Sequence, residues 1–210
     1  MLLQALNFSF FFFSKIQILG LFFLAIETGL LVRQSARLLK VSQVFFWTYV
    51  FLLAGKIVFL YSLQFYTWSL YPHSRYFLPP HQPLNYFFNY SWQHFGKEPL
   101  FALGVGLFFF LLLWLLTKIS RGRFFHEEDK YLGGLAVIAN MWPQNFLVVF
   151  LAFGLGIGVW LGRILRQRLA GQNMGLPFLN LRFFWPVSGV LLIILGQLLV
   201  KATFLENIRL

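Results

Sequence analysis

Residues 131–162 read YLGGLAVIANMWPQNFLVVFLAFGLGIGVWLG, an apolar run that forms either one membrane span or two. As a single helix these 32 residues would reach about 48 Å at 1.5 Å per residue, against a hydrocarbon core about 30 Å thick. The sequence MWPQN at 141–145 interrupts the run near its middle. Proline has no N–H to give to the helix ladder and disfavours helix at the residue before it. The stretch therefore predicts a broken pair of short helices meeting at that turn.

Charge placement points the same way. With the break, the loops at 33–40, 118–130 and 163–182 fall on one side and carry 11 of the 17 basic residues, including Arg33, Arg37, Lys118, Arg121, Arg163, Arg166 and Arg168. A single span would send Arg163, Arg166 and Arg168 to the opposite side. The positive-inside rule places the basic loops in the cytoplasm, and the expected location is a bacterial inner membrane.

The composition agrees with a membrane protein. The chain is 59% hydrophobic and 21% aromatic, and only 11% of its residues are charged, whereas soluble domains carry about a quarter. Further apolar runs at 16–32, 44–66, 99–117 and 184–200 predict four full spans around the broken pair, in one all-α polytopic bundle. A polar, aromatic and proline-bearing stretch from Thr67 to Glu98 reads as a long outer loop. The N-terminus lacks the basic region and small-residue cleavage site of a removable signal peptide. The net charge of +11 sits beside apolar runs, where basic residues orient helices and meet anionic lipid. Nucleic acid is accordingly not an expected partner.

Several chemistries are excluded by what the chain lacks. There is no cysteine, so disulfides, thiolate catalysis and cysteine-held metals are out. A single aspartate, Asp129, cannot supply the aspartate pair of an intramembrane aspartyl protease. PVSG at 186–189 is followed by no histidine, which excludes a serine dyad in that order. The four histidines, His73, His81, His94 and His126, have no partner at helical spacing, and neither metal nor cofactor is expected. The acidic HEED at 126–129 reads as a complement to the dipole of the following helix, balancing Arg121 and Arg123.

Glu27 and Lys56 are ionisable residues inside spans, where such groups are expensive and face the interior or a partner. They mark a candidate polar cavity, together with Gln144, and they could pair. His94, in NYSWQHFGKEPL at 89–100, stands at the outer interface among Tyr90, Trp92 and Phe95, as residues of an aromatic belt do.

Several short segments resemble prolipoprotein diacylglyceryl transferase, a membrane enzyme that moves a diacylglyceryl group from phosphatidylglycerol to a lipoprotein cysteine. ARLLKVSQVFFW at 36–47 is similar to that family's basic loop and following helix start, and AGKIV at 54–58 resembles its Gly-Ala-Arg-Leu. PLNYFFNYSWQHFGK at 83–97 is similar to the segment leading to Ser-Phe-His-Gly-Gly, which sets His94 on the family's histidine. AVIANMW at 136–142 resembles Gly-Arg-Ile-Gly-Asn-Phe, which keeps Asn140 and puts Val137 where the essential arginine belongs. The first-span arginine and tyrosine fall at Gln17 and Leu19. A guanidinium grips phosphate bidentately and valine cannot, so the resemblance implies a scaffold without its chemistry, with His94 and Asn140 as remnants.

The expectation is a non-catalytic accessory or structural subunit of a membrane complex, partnered by lipids and other membrane subunits. The small residues of GVG at 104–106 and GLGIG at 154–158 would allow close helix contacts. Two other readings are a divergent diacylglyceryl transferase using His94, Lys56 and Asn140, and a small transporter working through Glu27 and Lys56.

Overall fold

The computed structural model describes residues 15–33, 37–120, 125–141, 144–169 and 181–200, with side chains of the last segment described as far as Leu195. All regular structure among these residues is helical: α1 Ile16–Val32, α2 Leu38–Leu70, a single turn α3 Pro72–Arg75, α4 Leu84–Ser91, α5 Lys97–Ser120, α6 Asp129–Ala139, α7 Gln144–Leu169 and α8 Phe184–Val200. Three stretches are long and apolar enough to cross a membrane, namely Leu38–Leu70, Leu84–Ser120 and Gln144–Leu169. The protein is an all-helical integral membrane protein.

The break in the 131–162 run is present. Helix α6 ends at Ala139 and α7 begins at Gln144, while Trp142 and Pro143 lie outside the described residues. The chemistry of the stop is simple: the amide that would close a helical turn onto the Ala139 carbonyl belongs to Pro143, which has no N–H. One expectation is corrected. Only α6 is short; α7 has 26 residues and carries Arg163, Arg166 and Arg168 on its own last turns rather than in a loop.

Helix α6 is the axis of the bundle. Apart from Tyr131 each of its residues is buried, and α1, α2, α5, α7 and α8 all pack against it. A helix apolar on every side belongs in an interior. Gly133 and Gly134 let neighbours reach its backbone: a Cβ on the first would come within 2.6 Å of Leu113, and one on the second within 2.7 Å of Phe46.

Contact register fixes the directions. Gly20 lies against Ala139 while Leu24 and Gly189 meet near Ala136, so α1 runs antiparallel to α6. Gly106 meets Ile138 and Leu113 meets Gly133, so α5 is antiparallel as well. Phe46 packs at Gly134 and Tyr49 near Ala139, which makes α2 parallel to α6; Trp185 at Gly133 and Gly189 at Ala136 do the same for α8. Helix α7 leaves the end of α6 and meets Trp185 through Phe153, with ring centroids 5.5 Å apart. The described helices thus run up and down, and the helix ends that carry Arg33, Arg37, Lys118, Arg168 and Arg182 lie at one end of the bundle.

The stretch from Thr67 to Glu98 is not an open loop. Helix α2 continues to Leu70, and residues 84–120 form one helical rod interrupted by a π-helical turn at Trp92–Gly96. The buried positions of that rod are Phe87, Ser91, Gly96, Pro99, Ala102, Gly106, Phe109, Leu113 and Thr117. They step by three or four except from Ser91 to Gly96, where the step is five and the wide turn takes up the extra residue. The wide turn also lies just ahead of Pro99, whose ring would crowd the carbonyl of Phe95 in a regular helix. Trp68, Leu78 and Phe87 form a second core here with Tyr61 and Tyr90, at the end of α2 away from Arg37.

Candidate functional site

The buried carboxyl and amide side chains of the bundle fall in three places, each at a level set by the contacts with α6. The first is Glu27 on α1. The α1 positions facing inward are Ile16, Gly20, Phe23, Leu24, Glu27 and Leu31, a helical stripe that carries the carboxyl with it. Glu27 is fully buried and its neighbour across the α1–α2 contact is Ser42, also fully buried. The pairing of Glu27 with Lys56 is not formed. Ser42 and Lys56 share one helix and are 14 positions apart, about 21 Å at the rise of an α-helix. Lys56 instead has Glu98 as its charged neighbour.

The second place is the junction between α6 and α7. Asn140 is buried, and its amide group donates to the Ala136 carbonyl at 2.8 Å and the Gly189 carbonyl at 3.2 Å, tying α6 to α8. Its Oδ1 has no partner among the described residues. Met141 follows with φ of 54°, a left-handed conformation that costs a non-glycine residue roughly 1 kcal/mol or more. Its carbonyl accepts the backbone N–H of Asn145 at 2.8 Å. The side chain of Asn145 is fully buried, and neither amide atom is paired among the described residues. Gln144, the residue singled out from the sequence, is half-buried; Asn145 leads the inward stripe that continues through Val148, Ala152 and Gly156. A Cβ at Gly20 would stand 2.8 Å from Ala139 Cβ and 3.2 Å from Tyr49 Oη, so α1 packs here against both α6 and the buried Tyr49 hydroxyl, which has no partner among the described residues.

The third place is the opposite end of α6. Asp129 is fully buried. Its Oδ2 accepts the backbone N–H of His126 at 2.6 Å, and beside it Lys130 forms an ion pair with Glu127. Burial pushes the Asp129 carboxyl up to about 7, with Glu128 adding to the rise, while the His126 N–H, Arg182 and the Trp185 indole pull it back. The HEED sequence is thus more than a dipole complement, because its aspartate is a core residue. Arg121 and Arg123 lie outside the described residues.

The residues suggested by the transferase resemblance are not gathered into one site. His94 sits in the exposed π-helical turn, its Nδ1 2.8 Å from the Tyr90 carbonyl and its ring stacked on Tyr90 at 3.9 Å. Asn140 lies near the level of Gly106, which is 12 positions, or about 18 Å, along the helical rod from His94. Among the described residues no group of three histidine, cysteine or acidic side chains could hold a metal ion.

Ser42, Tyr49, Ser91, Thr117 and Asn145 are buried polar residues that the sequence did not single out. The signal for Ser42 and Tyr49 is their phase, since they share a stripe with Leu38, Phe46, Val50 and Leu53. The class these features define is a polytopic α-helical membrane protein with a polar interior around a short central helix. No family model matches the chain, and no curated protein or solved structure does.

Proposed function

We propose that the protein is a non-catalytic accessory or structural subunit of a larger complex in a bacterial inner membrane, with its basic end in the cytoplasm. The observation that carries this reading is the free face of α7. Gly154, Gly158 and Gly162 recur at four-residue spacing, all exposed, and a side chain started at any of them would meet nothing within 4 Å. Each glycine costs a helix about 1 kcal/mol relative to alanine, and lipid tails give nothing back for it. A second helix does, because small residues at this spacing let two backbones approach closely.

Other features are consistent with this role. Helix α7 runs 16 positions beyond Phe153, about 24 Å, whereas α6 begins only four positions from Gly133, so the cationic end of α7 projects past the bundle. Phe51, Phe108 and Phe150 are exposed on the outer faces, as lipid-facing residues are. The resemblance to diacylglyceryl transferases, with valine in place of the phosphate-gripping arginine, describes a pseudoenzyme scaffold.

The test is gentle detergent extraction from native membranes followed by sizing and mass identification. The wild-type chain is expected to migrate in an assembly of fixed stoichiometry, and Gly158→Leu is expected to shift most of it to the free form while leaving its own melting temperature unchanged. A wild-type chain that runs alone, with lipoprotein lipidation lost in His94→Ala cells, would replace the subunit reading with the transferase one.

A further inference from the structure

We infer that the outward face of α4, with the turn that follows it, is a binding site for a hexopyranose sugar, carried either on a lipid headgroup or on a free glycan. Asn85, Tyr86, Asn89 and Trp92 line one open recess of about 460 Å³, within the range of about 300–1,000 Å³ usual for small-ligand sites. Helical spacing brings them together. Positions 85, 89 and 92 recur at intervals of four and three, on the side of the helix opposite the inward Phe87 and Ser91.

The lining is half carboxamide and half aromatic, with no charged side chain. The side chains of Asn85 and Asn89 have no hydrogen-bond partner among the described residues, so each presents a donor and an acceptor side by side. The rings are held by their neighbours. Tyr86 stacks on Trp68 and on Phe77, with centroids 6.3 and 5.7 Å away, and Trp92 packs on Phe101 at 5.8 Å. Aromatic faces fixed in this way lose little freedom when a ligand arrives.

This lining selects the ligand. A phosphate or carboxylate calls for arginine or lysine, and neither lines the recess. A wholly apolar ligand would strip water from both carboxamides and return no hydrogen bond. A quaternary ammonium would use the ring faces and leave the amides idle. A hexopyranose uses both kinds of group: its C–H bonds form an apolar face that lies on an aromatic ring, and its adjacent hydroxyls donate to and accept from a carboxamide.

The depth of the recess suits such a ligand. Asn89 stands 29 positions before Lys118 along the helical rod, about 44 Å at the helical rise. The hydrocarbon core is about 30 Å thick, and the bilayer with its headgroups about 40–45 Å. With Lys118 at the basic interface, the recess lies at the level of the opposite headgroups, which lipid-borne and water-borne sugars both reach. This assignment does not depend on the subunit reading, and a chain that runs alone would leave it standing.

The test uses the full-length protein in nanodiscs, because glucoside and maltoside detergents would themselves occupy the site. Titration of maltose, lactose and chitobiose is followed by saturation-transfer NMR, and melting temperature is compared in nanodiscs with and without monoglucosyl-diacylglycerol. Saturable binding of a free disaccharide assigns the site to glycans; a response confined to the glycolipid assigns it to headgroups. The double variant Asn85→Ala, Asn89→Ala is expected to weaken binding about tenfold or more, with its ligand-free melting temperature held or raised because alanine is the better helix former. Trp92→Ala is expected to weaken it about tenfold. A wild-type chain that responds to none of these sugars overturns the proposal. Undiminished binding in the double asparagine variant overturns it as well, by placing the sugar elsewhere.

Discussion

Gly106→Ala is expected to lower the stability of the bundle by about 2–3 kcal/mol and its melting temperature by about 4–12 °C, read by thermal unfolding in detergent or nanodiscs. The position lies at the α5–α6 contact. A methyl group there would penetrate Ile138, with Cγ1 well inside van der Waals contact, Cδ1 at 2.7 Å and Cβ at 3.2 Å. Ile138 is fully buried and branched at Cβ, so it has few rotamers to escape into. The two helices must therefore separate. Alanine is a better helix former than glycine by about 1 kcal/mol, and the estimate already includes that gain.

Two controls make the result diagnostic. Gly104 is two positions away on the same helix, and a Cβ there meets nothing within 4 Å. Gly104→Ala is expected to be neutral or stabilising by up to about 1 kcal/mol. Combining Gly106→Ala with Ile138→Ala should cost less than the two single changes added together, because the new methyl fills part of the hole left by the isoleucine. Equal losses at 104 and 106, or strict additivity in the double variant, would show that α5 does not pack on α6 in this register. The GVG sequence suggested close packing; only its second glycine provides it.

The fold was legible where physics is local. The break at MWPQN follows from span length and one missing N–H, and the apolar runs mark the helices because backbone groups in lipid have no partner but their own ladder. The burial of Glu27 and Asn145 could be read from stripes of three and four residues. The helical rod from Leu84 to Ser120 was not legible, because its inward stripe skips a residue between Ser91 and Gly96 and a regular 3.6-residue period loses phase there. Proline and polar aromatic residues then read as loop. Nor could one sequence show that Ser42 rather than Lys56 faces Glu27, since that depends on how far α2 slides along α1. The burial of Asp129 was not legible for a related reason: an acidic residue in the first turn of a helix complements its dipole, and that alone does not say that Trp185 of α8 stands beside it.

That burial makes Asp129 the source of a large pH effect. Its carboxyl is pushed up to about 7 from an ordinary 3.8, chiefly by burial. The folded chain therefore keeps a proton that the unfolded chain gives up near pH 4. Between about pH 4 and pH 7 the unfolded state binds fewer protons than the folded state, so stability falls as pH rises, by up to about 1.4 kcal/mol per unit. Above about pH 7 both states are ionised and the loss levels off at roughly 4 kcal/mol. The usual salt-bridged carboxylate gives the opposite slope, because its folded form is the better acid. Asparagine at 129 keeps an oxygen to accept the His126 N–H and cannot ionise. Melting temperature measured from pH 5 to pH 8 should fall steeply for the wild type and stay nearly flat for Asp129→Asn, with the two curves meeting at the acid end. If the variant followed the wild type throughout, the slope would belong to other groups, and the carboxyl would have to reach water at the basic end of the bundle. A flat wild-type curve would carry the same meaning for Asp129, since a carboxyl in contact with water has no reason to hold its proton at neutral pH.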